Sequence, residues 1–265
     1  MPASKGLKID VRRKRILEIL ARDGQVRVAQ ISEELGVTPV TVRSDLSALK
    51  EDGYLERISG GAIQTVKNFY NLEFQQRRQQ NAFVKKRIAS AAADLIQDGE
   101  TLFINSGTTT YYTAIELKRH KSLNIVTNSL LVAMELGDVP TFRVILLGGD
   151  INTQYSFTYG VNVLEQLKQF KADKTILSMD GISVNSGLTT YHAEEAVVTR
   201  AMVERAGKTI LVADHSKIGY ESFSFVLDLS AASCLVTDAG DNAAPKIREL
   251  KAAGLETITV DWPGV

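Results

Sequence analysis

Apolar residues near the start of the chain recur at helical spacing, with polar residues between them. Residues 12–22 and 28–35 each place their apolar side chains on one face, and Gly24 and Gly36 follow the two segments. The apolar positions are Ile16, Ile19 and Leu20 in the first segment and Ile31 and Leu35 in the second. This pattern predicts two short amphipathic helices.

A third helix is predicted directly after the second glycine. Thr38 can cap it with its hydroxyl, and Pro39 suits the first helical position because no amide hydrogen is needed there. Val42, Leu46 and Leu49 follow at helical spacing and form one buried stripe. Three short helices with a glycine-containing turn between the second and third are typical of a helix-turn-helix.

Residues 53–63 predict two short strands about a turn, which would form a wing beside the third helix. The polar groups near the start of that helix lie where a recognition helix meets base edges. Arg43 can grip guanine through two hydrogen bonds, and Val40 can touch a thymine methyl group. The candidate DNA contacts are Thr38, Val40, Thr41, Arg43 and Ser44 of the helix and Arg57 of the wing, which is placed for a phosphate. A three-helix bundle with no role in DNA binding remains the alternative.

Residues 65–80 lose this periodicity and predict a linker between two domains, at 1–64 and 81–265. The linker is expected to be helical toward its polar end. It contains more apolar side chains than a free tether needs, namely Phe69, Tyr70, Leu72 and Phe74. These side chains are expected to pack on a domain or on a partner subunit, which would let the linker transmit a conformational change.

Beyond Asn81, short apolar strands alternate with amphipathic helices. The predicted strands are 101–105, 124–127, 143–147, 174–178, 209–213, 233–236 and 257–260. The predicted helices lie near 82–97, 109–118, 129–136, 161–169, 193–206 and 243–253. Alternation of this length predicts an α/β domain with a mainly parallel sheet covered on both faces.

The loops that follow these strands form the candidate ligand site, because ligands of such sheets bind at the carboxyl ends of the strands. Residues 105–110 combine a glycine with several hydroxyls and lead into a helix, an arrangement that can receive an anion. The glycine-lysine pair of a nucleotide-type phosphate loop is missing. A purely structural turn is the alternative interpretation of this loop.

The later loops add small polar groups, acids and a lysine. The candidate effector contacts are Ser106, Gly107, Thr108, Thr109, Asn128, Ser129, Gly149, Asp180, Gly181, Glu195, Asp214 and Lys217. Together they suit a polyhydroxylated anion, with hydroxyl and amide donors for a phosphate, carboxylates for sugar hydroxyls and Lys217 for charge.

Composition bears on the number of domains, the cellular location and the presence of a metal or cofactor. The 265 residues exceed one average domain, and the formal net charge is zero. The first thirty residues are nevertheless basic, and a local basic patch is sufficient for phosphate contact. Cys234 is the only cysteine, and no apolar run is long enough to cross a bilayer, so a cytoplasmic location is expected. The spacing of His120, His192 and His215 fits no metal site, and neither a metal nor a cofactor is expected.

Residues 12–63 resemble the DNA-binding domain of the DeoR/GlpR family of bacterial sugar-catabolism repressors. The matching segments are 15–20, 38–46, 53–55 and 60–62. Where the family usually has a second basic residue after the arginine of the third helix, this chain has Ser44, which changes a phosphate or base contact. Asp45 is expected to orient Arg43 or to cap a neighbour, because a carboxylate repels DNA phosphates.

Residues 75–260 resemble the effector domain of the same family. The matching motifs are Ser106-Gly107-Thr108-Thr109, Thr127-Asn128-Ser129, Gly148-Gly149, Asp180-Gly181, Gly187-Leu188, Glu195-Ala196 and Ala213-Asp214-His215-Ser216-Lys217. That domain is similar in fold to ribose-5-phosphate isomerases and CoA transferases, and the resemblance implies a phosphorylated sugar or sugar-acid phosphate as effector. The aromatic loop 155–160 and the segment 191–194 depart from the family pattern and are expected to influence which sugar binds.

The sequence therefore predicts a repressor that a phosphorylated sugar releases from a double-stranded DNA operator. A homodimer or homotetramer is expected, because palindromic half-sites demand symmetry. One alternative is a sugar-phosphate isomerase or lyase in which Asp180, Glu195 and Lys217 transfer protons. The other is an activator, which differs in operator placement. The N-terminal module favours a regulator that is not an enzyme.

Overall fold

The computed structural model describes residues 9–51, 55–64, 74–240 and 243–261. The chain folds into two compact units, residues 1–80 and 81–265. Residues 65–73 of the predicted linker, which include Phe69, Tyr70 and Leu72, lie outside the described residues. The described end of the linker is a short helix, as expected, and Phe74 at its start is buried.

The first unit is a winged helix-turn-helix, as predicted. Its helices are α1 (Ile9–Asp23), α2 (Val28–Leu35), α3 (Pro39–Glu51) and α4 (Phe74–Gln79), and its strands are β1 (Gln25–Arg27), β2 (Leu55–Ile58) and β3 (Gly61–Gln64). The apolar stripes predicted for α1 and α3 form its core together with Val26, Val28, Ile31, Leu55 and Ala62. Strand β1 was not predicted; it pairs antiparallel with β3 and adds a third strand to the wing.

The turn between α2 and α3 is stabilised locally. Gly36 has a φ of 62°, a left-handed conformation that favours glycine, and the Ser32 hydroxyl donates to the Val37 carbonyl at 2.5 Å. The predicted cap is confirmed, since the Thr41 amide donates to Thr38 Oγ1 at 3.2 Å. These contacts fix the start of α3 relative to α2.

The second unit alternates strands and helices. The strands are β4 (Thr101–Ile104), β5 (Asn124–Thr127), β6 (Arg143–Leu146), β7 (Asp150–Asn152), β8 (Phe157–Tyr159), β9 (Ala172–Leu177), β10 (Gly181–Ser183), β11 (Gly187–Thr190), β12 (Ala206–Val212), β13 (Ser224–Leu227), β14 (Cys234–Asp238) and β15 (Glu256–Val260). The helices are α5 (Ala82–Ala93), α6 (Thr108–Leu117), α7 (Leu130–Leu136), α8 (Val161–Leu167), α9 (Ala193–Glu204) and α10 (Ala243–Ala252).

Seven of these strands form a parallel sheet in the order β15-β14-β12-β9-β4-β5-β6. Neighbouring residues of each strand point to opposite faces. In β4, Phe103 packs into one apolar cluster, with α8, α9 and α10, whereas Leu102 and Ile104 pack into another, with α5, α6 and α7. The predicted α/β architecture with both faces covered is therefore confirmed.

Two antiparallel additions were not predicted. The region after Gly149, expected to be an aromatic loop, forms a hairpin of β7 and β8, and β10, β11 and β13 form a small sheet of their own. These strands have three or four residues each, too few for an alternating pattern to be recognised. Across the described residues, no helix has the length and apolar character that a membrane span requires.

Candidate functional site

The start of α3 presents an exposed face. Thr38, Val40, Arg43 and Ser44 are exposed, Thr41 is half-buried, and Val40 is 71% exposed. An apolar side chain this accessible, one position after the proline that starts the helix, is what contact with a base methyl group requires. The opposite face of α3 is buried through Val42, Leu46 and Leu49, so five of the six candidate DNA contacts share one accessible helix end.

The sequence predicted that Asp45 orients Arg43 or caps a neighbour, but the structure pairs Asp45 with two arginines of α1. Asp45 is buried, and its carboxylate accepts hydrogen bonds from the guanidinium groups of Arg12, at 3.0 Å for one of the two contacts, and Arg13, at 3.3 Å. The hydrogen bond to Asp45 raises the pKa of Arg12. Asp45 therefore links α3 to α1, and its carboxylate compensates part of the positive charge of the basic N-terminal segment. The sequence could not pair these residues, because more than thirty positions separate them.

Arg57 lies on β2 of the wing and reaches back to the recognition helix. Its Nη1 donates to Ser47 Oγ at 2.8 Å and to the Arg43 carbonyl at 3.4 Å. The wing and the helix are thus joined beside Arg43. A phosphate contact by Arg57, expected from the sequence, remains a proposal that would use the rest of its guanidinium.

In the second unit, the loops after β4 and β9 are locked together at the carboxyl edge of the parallel sheet. Asn105 Nδ2 donates to the Ser178 carbonyl at 3.0 Å, and the Ser178 amide donates to Asn105 Oδ1 at 2.9 Å. Between these loops, a β-carbon on Gly107 would lie 2.5 Å from Ser178 Cβ. Glycine is required here by close approach, and Gly107 immediately precedes the first turn of α6.

Replacing Gly107 by alanine is expected to destabilise the fold by about 1–3 kcal/mol, because the added methyl group forces the two loops apart. Thermal unfolding and denaturant titration would measure the loss. Gly148→Ala is the matched control, since its β-carbon would meet its nearest neighbour, Gln166, at an ordinary 3.6 Å. Equal stability of the two variants would contradict the close approach at Gly107.

The hairpin of β7 and β8 covers the part of this edge nearest β5. The Ser106 hydroxyl donates to the Tyr155 carbonyl at 3.2 Å, Asn128 Nδ2 donates to the Thr158 carbonyl at 3.1 Å, and Ser129 Oγ accepts from the Val132 amide at the start of α7. In this structure Ser106 and Asn128 therefore connect the loops to the hairpin, and Ser129 caps α7. Asn128 Oδ1 is buried and has no donor among the described residues, so this acceptor is unsatisfied.

A buried group of acids and a lysine lies at the same edge. Thr190 Oγ1 is 3.1 Å from Asp180 Oδ2 and 3.2 Å from Glu195 Oε2, and Lys217 Nζ is 3.7 Å from Asp180 Oδ1. The Tyr191 amide also donates to Asp180 Oδ2 at 3.1 Å. Each of the three charged residues is less than a tenth exposed. Placing three charged groups in such surroundings is costly unless they compensate one another or a ligand.

Asp214 extends this group to a second lysine. Its Oδ2 lies 3.7 Å from Lys85 Nζ, and its Oδ1 accepts hydrogen bonds from the Ser216 amide and hydroxyl, at 3.1 and 2.5 Å. Burial alone would raise the pKa of Asp214. The charges of Lys85 and Lys217 and the hydrogen bond from Ser216 outweigh it and lower the pKa to about 2. Asp214 is therefore an anion at neutral pH, with the Lys85 ammonium group beside it and the charge of Lys217 acting on it.

Aromatic rings connect the hairpin with the acidic group. The His192 ring centroid lies 4.4 Å from that of Tyr155, 5.7 Å from that of Phe157 and 5.2 Å from that of Tyr191. His192 directly precedes α9, the helix that carries Glu195. The two segments that departed from the family pattern thus meet in one cluster beside the candidate site.

Comparison with known families agrees with this architecture. The family model described as the DeoR C terminal sensor domain matches residues 80–239, and the DeoR-like helix-turn-helix domain matches residues 12–67. The chain belongs to the DeoR family. The family resemblance found in the sequence is confirmed.

Relatives of this DeoR-family protein are similar over nearly their whole length. The glycerol-3-phosphate regulon repressor of Escherichia coli (strain K12) is 34% identical over 233 residues, which span 88% of this chain and 92% of the relative. A putative aga operon transcriptional repressor of Escherichia coli O157:H7 is 31% identical over 251 residues, 94% of this chain and 93% of the relative. Among solved structures, ribose 5-phosphate isomerase A from Methanocaldococcus jannaschii aligns with 52% of this chain and 55% of its own, at 14% identity and a TM-score of 0.39.

The predicted effector residues of the DeoR-family protein fall into distinct settings. Ser106, Gly107, Asn128 and Ser129 belong to the loops under the hairpin, and Thr108 and Thr109 are buried in the first turn of α6. Asp180, Glu195, Asp214 and Lys217 form the charged group. Gly181 lies against Thr189 and Tyr220, which leave no room for a β-carbon, and Gly149 is exposed against Tyr159 and Val163. The last two positions therefore have a packing reason to be glycine.

The sequence reasoning missed Lys85. It lies on the buried side of α5, at helical spacing from Ile88, Ala89 and Ala92, and is only 4% exposed. A lysine inside an apolar stripe was the available signal. His215 makes a separate contact, with Nδ1 2.7 Å from Asp238 Oδ2, and no cluster of metal-binding side chains occurs in the part of the chain that the structure describes.

Proposed function

We propose that this DeoR-family protein is a transcriptional repressor whose affinity for operator DNA is lowered by a phosphorylated sugar or sugar-acid phosphate. The observation that carries the proposal is the buried group of Asp180, Glu195, Asp214, Lys85 and Lys217 at the carboxyl edge of the sheet. Buried, mutually dependent charges in such a place are typical of a ligand site. The name of one relative, the glycerol-3-phosphate regulon repressor, supports a phosphorylated metabolite as effector.

Each part of the site has a proposed task. The loop of Ser106, Gly107, Thr108 and Thr109 offers backbone amides at the start of α6 to the phosphate, and Lys217 supplies positive charge. The carboxylates of Asp180 and Glu195 accept hydrogen bonds from sugar hydroxyls. We propose that Asn128, Ser129, Gly149 and Gly181 shape the surrounding loops, and that Asp214 acts through Lys217.

In the DNA-binding unit, we propose that Thr38, Val40, Thr41, Arg43 and Ser44 read base edges in the major groove while Arg57 supports the wing against a phosphate. A two-fold homodimer, or a tetramer of two such dimers, would place two copies of α3 on the half-sites of a palindrome. Binding of the phosphorylated sugar favours a conformation in which the two helices no longer match those half-sites. Because DNA is the proposed target, we propose that the protein acts in the cytoplasm.

A direct test combines a duplex and a ligand panel. Duplex DNA that binds the wild-type protein is selected from a random pool. The protein is then screened by thermal unfolding against ribose 5-phosphate, fructose 6-phosphate, glucose 6-phosphate, 6-phosphogluconate and glycerol 3-phosphate. At 100 times its dissociation constant, a compound adds about 2.7 kcal/mol to the free energy of unfolding. The stabilising compound is expected to weaken binding of the selected duplex by about 5- to 150-fold.

The same panel separates the repressor from its alternatives. Saturable isomerisation of any of these compounds, lost in Glu195→Gln, would favour an enzyme. Stronger duplex binding in the presence of the stabilising compound would overturn release as the mode of control. Failure to select any duplex, or failure of all five compounds to stabilise the protein, would overturn the proposal itself.

A further inference from the structure

Asn81, the first residue of the second unit, has an unusual backbone conformation. Its φ is 53°, which places it in the left-handed region, and the one other described non-glycine residue with a positive φ is Ser156. Asparagine tolerates this region better than most residues, but it persists there only when the surroundings hold it. Because α5 begins at the next residue, this conformation sets the direction in which the chain enters the unit.

The side chain of Asn81 accounts for that conformation. Its amide does not cap α5; instead Nδ2 donates to Asp214 Oδ1 at 3.2 Å. Lys85, one helical turn later, faces the other oxygen of the same carboxylate, and its backbone amide donates to the Asn81 carbonyl at 2.9 Å. The first turn of α5 is therefore attached to Asp214 at two points.

We infer that Asn81 is a positioning residue that couples the occupancy of the site around Lys217 to the chain segment that leads to the DNA-binding unit. This inference rests on the function proposed above. It assigns the coupling to one hydrogen bond between an asparagine at the domain boundary and a buried carboxylate of the effector site.

The electrostatics give the coupling a direction. The positive charge of Lys217 lowers the pKa of Asp214, and Lys217 Nζ also lies 3.7 Å from Asp180 Oδ1. A phosphate bound by Lys217 competes with both carboxylates for that ammonium group. Asp214 then depends more strongly on its other partners, which include Ser216 in its own loop and Lys85 and Asn81 at the start of α5, and it draws the start of α5 toward itself. Asn81 directly follows the last residue of the first unit, so a shift of the start of α5 also moves the chain that connects the two units.

The test is the substitution Asn81→Gly, which keeps the left-handed backbone accessible and removes only the side-chain amide. Arg87→Ala is the matched control, since Arg87 lies on α5, the helix that follows Asn81, is exposed and contacts Asp261 instead. Affinity for the selected duplex is measured by fluorescence anisotropy with and without the stabilising compound of the panel of five. In the wild type and in Arg87→Ala, the compound is expected to weaken duplex binding by about 5- to 150-fold.

In Asn81→Gly, duplex affinity without the compound and binding of the compound itself are expected to stay within about threefold of wild type, while the weakening falls below about twofold. Asn81→Asp, which places a carboxylate against Asp214, is expected to lose the response as well. A full response in Asn81→Gly would overturn the inference and leave the proposed function intact. Absence of a response in the wild type would remove the proposed function, and the inference with it.

Discussion

Arg43→Ala is expected to weaken binding of the selected duplex by about 5- to 150-fold, the range that corresponds to the loss of one bidentate contact to guanine. Arg43 is exposed on α3, and the described contacts of Arg57 and Thr38 hold the helix around it without using its guanidinium. The fold should therefore survive the substitution. Binding of the stabilising sugar phosphate, whose proposed site is in the other unit, is expected to be unchanged.

The measurement is an anisotropy titration at fixed, stated salt, repeated with a duplex in which the preferred guanine is replaced. Arg43→Ala should bind both duplexes with similar affinity, whereas wild type should discriminate between them. Lys50→Ala is the control: it removes an equal charge from the far end of the same helix, where Lys50 pairs with Glu56 at 3.3 Å. If Lys50→Ala lost as much discrimination between the two duplexes as Arg43→Ala, Arg43 would have no specific role in base recognition.

Asp214→Asn is expected to lower the free energy of unfolding by about 2–4 kcal/mol, because it removes a negative charge that compensates the buried lysines Lys85 and Lys217. The substitution preserves shape, so the loss reports charge and not a cavity. The same variant is expected to lose the response of duplex binding to the sugar phosphate. Asp138→Asn is the control, since Asp138 is 75% exposed and its pair with Lys118 is worth little at the surface.

The pH dependence of stability gives this prediction a second readout. The pKa of Asp214 in the folded chain is about 2, below its ordinary value of 3.8. Its stabilising contribution, on the order of 2 kcal/mol, is therefore fully present above about pH 4 and is lost as the pH falls toward 2. Denaturant titrations of wild type and Asp214→Asn should converge across this interval. A constant difference between pH 5 and pH 2 would show that Asp214 is not ionised in the folded chain.

The glycines at the carboxyl edge of the sheet show what a glycine in a sequence motif can predict and what it cannot. Gly107 was expected to let the backbone approach an anion, and the structure gives a second reason, the Ser178 side chain packed against it. Gly149 and Gly181 have packing reasons of the same kind. A glycine in a loop sequence predicts close approach to something, but it does not say whether that is a ligand or another part of the chain.

The sequence by itself determined the elements whose signal lies within a few neighbouring residues. The stripe of Val42, Leu46 and Leu49, the cap at Thr38 and the seven strands of the parallel sheet depend on spacing along the chain, so helix and strand positions followed to within a few residues. The family resemblance followed from motifs of the same short length.

Tertiary structure alone decided which charged and polar groups meet. Arg12 and Asp45 are thirty-three positions apart, and Asn81 and Asp214 are one hundred and thirty-three apart. Their pairing depends on how helices pack and on the order of strands in the sheet, which local periodicity does not encode. The same holds for Lys85, because a loop from a distant strand brings Asp214 to this buried lysine and compensates its charge. Local sequence specifies the elements, and the packing of those elements specifies the electrostatics of the site.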